Sequence, residues 1–466
     1  MSRLFPLICS CFHQLPMLFL GCCLLLLCPT RVQCQSFEWD GSSDLVSADF
    51  GNATLGQALE SIAEAMGWDV FVEPGLEARR VKTRFSRLPR SEALRRIMGD
   101  LNYALLGGES GTPRRLMVYA ISASRATRKI EIADEVKVFV SRRLDNEIIV
   151  QIQPGSELSI EALAEILGAT IVGKVEGLNA YRLSFEDQDS ADRAREQLAG
   201  SETLRISDNY TWERPGNQQS FPLSSLPGLR IKPENGSDST IVGLIDMPVQ
   251  SEAAELAPFL LPGIHVGGEV PVLESDLPTH GTSMAHTVLK GVEMGLQGQN
   301  TTSVKILPVD VYGGSEATST FEVVSGIYQA VQAGAQVINL SLGGADPVPI
   351  MEEVIDQAST QGVLFVGAAG NSPGTEPVFP AAYPGVLAVT ASSRPGQVAS
   401  YANTGDFVDV MVPGRTYLDF NGVTYMVNGT SASAAYVSGL AASIAAATGR
   451  PVQEVALELK AQLPKP

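Results

Sequence analysis

The chain reads as an α/β protein, with a doubly wound, mostly parallel sheet over residues 239–466 preceded by two small α+β domains. Three observations predict this. From Ile241 onward, almost unbroken apolar runs alternate with helix-length segments, as strands buried on both faces do. Upstream, at 45–122 and again at 145–210, short alternating runs are interspersed with two amphipathic stretches each, the mark of a small sheet carrying helices. Between 211 and 238, Pro, Gly, Ser and Asn accumulate with no sustained apolar period, which reads as an exposed linker and a natural site of nicking.

Composition narrows the partners. A net charge of −18 with no basic stripe argues against nucleic acid. All six cysteines (Cys9, Cys11, Cys22, Cys23, Cys28, Cys34) fall within the first 34 residues, beside Arg3 and the apolar run from Leu15 to Cys28. That run has signal-peptide length and is short for a membrane span. Residues 1–34 are therefore expected to be a signal peptide, whose removal after Cys34 leaves a cysteine-free chain from Gln35 with no stable membrane span. A lipid anchor at Cys22 and an uncleaved signal anchor are the alternatives; Phe19-Leu20-Gly21 suits lipidation poorly.

In the first small domain, a helix is expected from Thr54 to Met66, with Leu55, Ala58, Leu59, Ile62 and Met66 on one stripe. Val70-Phe71-Val72 and Val81 to Leu88 read as half-buried strands, and Ser91 as the N-cap of a second helix that turns Leu94, Ile97 and Leu101 inward. The runs Phe50-Gly51-Asn52-Ala53-Thr54-Leu55, Ala63 to Pro74 and Ser91-Glu92-Ala93-Leu94 resemble the short N-terminal domain of secretins and TonB-dependent receptors. That resemblance implies a double-membrane envelope, hence a periplasmic or secreted protein, and an envelope protein partner bound through residues 45–122.

The second small domain repeats the order strand, helix, strand, strand, helix, strand, which suits a ferredoxin-like unit. Ile148 to Ile152 begins it; Ser159 caps a helix with Leu163 and Ile166 facing in; Ile171 to Val175 and Tyr181 to Phe185 follow, then a helix from Ala191 to Leu198. Gln153-Pro154-Gly155, Leu178-Asn179-Ala180-Tyr181-Arg182-Leu183 and Ser207-Asp208-Asn209-Tyr210 resemble the inhibitory propeptide of subtilisin-like proteases.

The last domain alternates strands and helices: Ile241 to Asp246, Val304 to Val309, Thr320 to Ala333, Val337 to Leu342, Met351 to Gln361 and Val363 to Val366. Active groups in such sheets sit at the carboxyl ends of strands, where Asp246 lies. His280-Gly281-Thr282, Ala368-Ala369-Gly370-Asn371 and Gly429-Thr430-Ser431 follow in order, so the chain carries an acid, a base, an amide donor and a hydroxyl. Acyl transfer at a serine needs those groups: the hydroxyl attacks, a neutral imidazole takes its proton, and a carboxylate fixes the imidazole tautomer.

These motifs, together with Val337 to Gly344, Phe379 to Val386, and Tyr401-Ala402-Asn403 through to Val412-Pro413-Gly414, resemble the subtilisin-like serine proteases over residues 239–466. The resemblance implies polypeptide substrates and an acyl-enzyme, with Asp246, His280 and Ser431 as the triad and Asn371 in the oxyanion hole. It implies Ser341, Leu342 and Gly343 as the strand that pairs with substrate. No cofactor or catalytic metal is expected; the family often binds structural calcium, but no Asp-rich loop here has convincing ligand spacing. The sequence also departs from the family pattern. Asp246 is followed by Met247-Pro248 where a hydroxyl and Gly are usual, His286 stands where Gly is usual, and Ala432-Ser433-Ala434-Ala435 lacks the usual proline. These departures leave a second reading: a non-catalytic envelope scaffold docking to a secretion or uptake machine. A lipase or esterase is disfavoured, since no Gly-x-Ser-x-Gly elbow surrounds Ser431.

Overall fold

The computed structural model describes residues 36–466, apart from 41–43, 108–112, 121–127, 131–140, 215–218, 221–227, 235–238, 254, 267–276 and 297. The signal peptide expected at 1–34 lies outside the described residues. The chain forms two compact units that divide at Glu135/Val136.

In the first unit, the expected helix forms over Leu55–Met66. Thr54 and Gln57 close a capping box at its start, and Gly67 ends it in the left-handed conformation. Ser91 does not cap the second helix. The strand Arg80–Pro89 stays paired up to Pro89, which faces Leu45, and the helix begins directly at Arg90, so Ser91 falls inside its first turn. Ala93, Leu94, Ile97 and Met98 are buried as the periodicity requires.

The second unit begins with the ferredoxin-like sheet. The strands Arg142–Ile152, Thr170–Val175, Ala180–Ser184 and Leu204–Glu213 pair antiparallel, and helices Ile160–Leu167 and Gln188–Leu198 carry the core residues Leu163, Ala164, Ala191 and Ala194. Ser159 caps as expected, accepting from the Ala162 N–H at 3.3 Å. Ile166 corrects the expectation, being 78% exposed. The buried stripe of this short helix runs through Ile160, Leu163 and Ala164, with Leu167 partly buried against it, and at 100° per residue Ile166 falls beside that stripe.

Segment 211–238, expected to be an exposed linker, is anchored where it is described. The strand Leu204–Glu213 runs on through Thr211–Glu213 to pair with Ala317–Ser319, burying Trp212. Gln219–Ser220 pairs with Tyr425–Met426, and Lys232–Pro233 with Thr301–Thr302, next to buried Ile231. Two apolar side chains and spare backbone groups at nearby strand edges suffice to tie down a segment that lacks any period of its own.

The expected parallel sheet follows. Its order is Ile264–His265, Lys305–Asp310, Ile241–Asp246, Val337–Leu340, Leu364–Ala368 and Val386–Arg394, all parallel, with antiparallel Gln397–Val398 at the end and Val410–Pro413 also parallel to Val386–Arg394. Helices cover both faces. On one, Val242 and Leu244 pack with His280–Gly295 and Thr430–Thr448; on the other, Ile245, Ile338 and Leu340 pack under Thr320–Gln332 and Pro349–Thr360. Strand alternation puts Asp246 on the face of Val242 and Leu244, the face carrying the helices of His280 and Ser431.

Candidate active site

The three candidate residues come from three elements of the last domain. Asp246 is the last residue of its strand, His280 the first of the helix His280–Gly295, and Ser431 the second of the helix Thr430–Thr448. All three are buried. His280 Nδ1 lies 2.7 Å from Asp246 Oδ1 and 2.9 Å from Oδ2, and the Met247 N–H donates to Oδ1 at 2.7 Å. The carboxylate thus holds the Nδ1–H tautomer and leaves the Nε2 lone pair for a proton.

The approach of acid and base depends on glycine. A Cβ at Gly281 would collide with the Met247 carbonyl, so the turn after the acid rides directly on the first turn of the base's helix. The same device joins base and nucleophile. Gly291 lies against the Tyr436 carbonyl and Gly439 against the Val288 carbonyl, so the two helices cross backbone to backbone.

Ser431 Oγ donates to the Ser341 carbonyl at 3.3 Å, and Ser341 Oγ returns a bond to the Ser431 carbonyl at 3.2 Å. Among the described residues no hydrogen bond joins Ser431 to His280; such bonds are often long or poorly aligned in unliganded sites. Asn339, fully buried on the central strand, steadies the arrangement by donating to Ser341 Oγ at 2.8 Å and accepting from Ser438 Oγ at 3.0 Å. Ser341, Leu342 and Gly343 are all buried, and Gly344 pairs with Phe379 through two backbone bonds of 2.8 Å.

Asn371 is exposed, and Thr430 orients its side chain. Its Oδ1 accepts from the Thr430 N–H at 2.8 Å and from Thr430 Oγ1 at 3.0 Å, so the carbonyl end is occupied and the NH₂ end is presented beside the start of the nucleophile's helix. That is the disposition an anion requires: an amide donor close to the positive end of a helix.

The two remaining described histidines lie apart from this pair. His265 Nδ1 is 3.2 Å from Asp310 Oδ2 on the neighbouring strand. His286 is buried on the base's helix, with Nε2 3.5 Å from Glu255 and Nδ1 without a partner, and it pulls the Glu255 carboxyl below the usual range. His286 lines a cavity of about 530 Å³ with Lys290, Arg415 and Tyr436, which Asp246, His280 and Ser431 do not reach. The sequence reading missed Gln250 and Thr279, which frame the acid–base pair; a threonine directly before a predicted helix was the available signal. Among the described residues no group of three or more His, Cys, Asp or Glu is placed to hold a metal ion.

Residues 237–458 match the subtilase family (Peptidase_S8), and residues 142–206 match the fervidolysin N-terminal prodomain. Subtilisin DY of Bacillus licheniformis is 34% identical over 211 residues, covering 44% of this chain and 75% of its own. The chain belongs to the subtilase family. Thermitase of Thermoactinomyces vulgaris is 31% identical over 212 residues, covering 44% of this subtilase and 74% of its own length. Subtilisin Savinase of Lederbergia lenta is 33% identical over 168 residues, 35% of this subtilase. This subtilase spans 62% of Savinase and 44% of the M-protease of Shouchella clausii (strain KSM-K16), so such alignments cover about half of the relatives' length.

Proposed function

We propose that this subtilase is an exported serine endopeptidase, kept latent by its own prodomain. The observation that carries the reading is the buried Asp246–His280 pair, bonded at 2.7 and 2.9 Å, on the sheet face where Ser431 opens a helix and Asn371 presents its amide. His280 Nε2 takes the proton of Ser431 as Oγ attacks the scissile carbonyl, and Asp246 stabilises the imidazolium that forms. Asn371 Nδ2 and the Ser431 backbone N–H receive the oxyanion. His280 then gives its proton to the leaving amine, and water repeats the cycle on the acyl-enzyme. Ser341 to Gly343 would hold the substrate backbone as an added strand.

Contacts of the prodomain with two helices of the last domain support assisted folding. The N-cap residues of helices Thr320–Gln332 and Pro349–Thr360, Ser319 and Val348, make no side-chain cap bond. Prodomain residues cap them instead: Asn209 Oδ1 accepts from the Phe321 N–H at 3.2 Å and Ser207 Oγ from the Ile350 N–H at 3.3 Å. Arg182 bonds Glu322 at 2.7 Å and Arg205 bonds Glu353 at 2.6 Å across the same boundary. Release follows a cut within 211–238, made by the enzyme itself; equal processing of purified wild-type and Ser431→Ala chains would exclude self-cleavage. Residues 45–122 serve as the envelope docking module of the secretin and TonB-receptor type, and 1–34 as the export signal.

The test is covalent labelling by a fluorophosphonate. Once freed of its prodomain, wild type should label stoichiometrically, and Ser431→Ala not at all. A wild type that never labels, even after removal of the prodomain, would leave the scaffold reading in its place.

A further inference from the structure

We propose that Gln250 is a positioning residue for the acid–base pair, clamping the loop that leaves Asp246 to the first turn of the helix that begins with His280. The inference rests on the triad reading above. Gln250 is 3% exposed, and its amide spans both sides of this junction. Its Oε1 accepts from the Thr279 N–H at 2.9 Å and from Thr282 Oγ1 at 2.9 Å; its Nε2 donates to the Leu277 carbonyl at 3.1 Å. Its own N–H donates to Thr282 Oγ1 at 2.9 Å. Thr279 completes the clamp by donating from Oγ1 to the Pro248 carbonyl at 2.6 Å.

His280 sits between Thr279 and Gly281, and both neighbours are held by the acid's loop. Thr279 bonds Pro248 and Gln250, while Gly281 has the Met247 carbonyl against its Cα. The steric contact sets how close loop and helix come; it does not stop them sliding or parting. Only the hydrogen bonds resist that, and Gln250 is the side chain that makes three of them. The loop needs such a clamp because Met247 and Pro248 carry no side-chain hydroxyl to brace the carboxylate. Loss of the clamp lets His280 drift against Asp246, so the imidazolium that forms in the reaction is less well stabilised. A purely structural Gln250 would alter the melting midpoint and leave the labelling rate of the folded fraction where it was.

The experiment is the rate of fluorophosphonate labelling, at one pH and on protein cut within 211–238, for wild type, Gln250→Met and Gln250→Glu. Thermal melts give the folded fraction at the assay temperature. Gln250→Met keeps the shape and loses the bonds; the rate of its folded fraction should fall by about 10- to 100-fold. Gln250→Glu keeps the acceptor for Thr279 and Thr282 and should hold its rate within about tenfold of wild type, a rescue that Met does not give. A Gln250→Met chain whose rate loss is no larger than its unfolded fraction, or a Gln250→Glu chain no faster than Gln250→Met, overturns the proposal. A wild type that does not label even after removal of the prodomain, or a Ser431→Ala chain that does, overturns the triad reading and the positioning role with it.

Discussion

At the residue scale, Asn371 is an ordinary surface amide made directional by its neighbour. Thr430 occupies its carbonyl end twice, so rotation that would present oxygen to an oxyanion breaks two bonds of 2.8 and 3.0 Å. Asn371→Ala should lower kcat by about 10²–10³ with KM nearly unchanged, the loss known for the oxyanion amide of a subtilisin. Thr430→Val keeps the backbone bond and removes one of the two; it should cost a smaller part of the same kcat, read in the same assay. The sequence reading named Asn371 from its Ala-Ala-Gly-Asn motif, but the motif carries no information on which end of the amide faces the substrate. That depends on Thr430, a contact across 59 positions.

At the element scale, the crossing of the helices His280–Gly295 and Thr430–Thr448 sets the distance between base and nucleophile. Gly439 lies against the Val288 carbonyl and Gly291 against the Tyr436 carbonyl, so any side chain at either position meets backbone, which no rotamer change can relieve. Gly439→Ala should destabilise the second unit by about 3 kcal/mol, read from its urea midpoint, against at most about 1 kcal/mol for Ala446→Gly on the same helix. The run of small residues after Ser431 was legible as a close-packing helix. Where its partner lies was not, because glycine spacing marks a face and not the element that covers it.

At the scale of the whole molecule, the prodomain completes the catalytic domain by capping two of its helices. Asn209→Ala and Ser207→Ala should each cost about 1 kcal/mol of docking, read as faster exchange of amides 204–213 in the Ser431→Ala chain. Docking should also respond to pH through Glu322. Burial raises its pKa above the ordinary 4.5 despite the pull of Arg182, so the docked form binds the proton more tightly than the free form. The part of docking that Glu322 contributes is then full below pH 4.5 and is lost as pH rises through the raised value. Amide protection over 204–213, corrected for intrinsic exchange, should fall across that window in the Ser431→Ala chain and stay flat when Glu322→Gln is added. A fall that persists with Gln at 322 would assign the pH dependence to another group.

By itself the sequence determined the α/β class and most strands and helices, and it put forward Asp246, His280, Ser431 and Asn371 as the candidate residues. Each is written in short-range pattern: apolar period, caps such as Thr54 and Ser159, and motifs a few residues long. Ser91 and Ile166 escaped that pattern because strand pairing carried through Pro89 and the stripe of an eight-residue helix settled their places. Segment 211–238 escaped it because its order comes from strands at 317–319, 425–426 and 301–302. Only the tertiary structure decided that Gln250 bridges the acid's loop to the base's helix, and that Asn209 and Ser207 cap helices more than a hundred positions away. Hydrogen bonds of this kind join groups whose sequence neighbours give no sign of each other. They exist only once burial has brought the elements together and made an unpaired polar group costly.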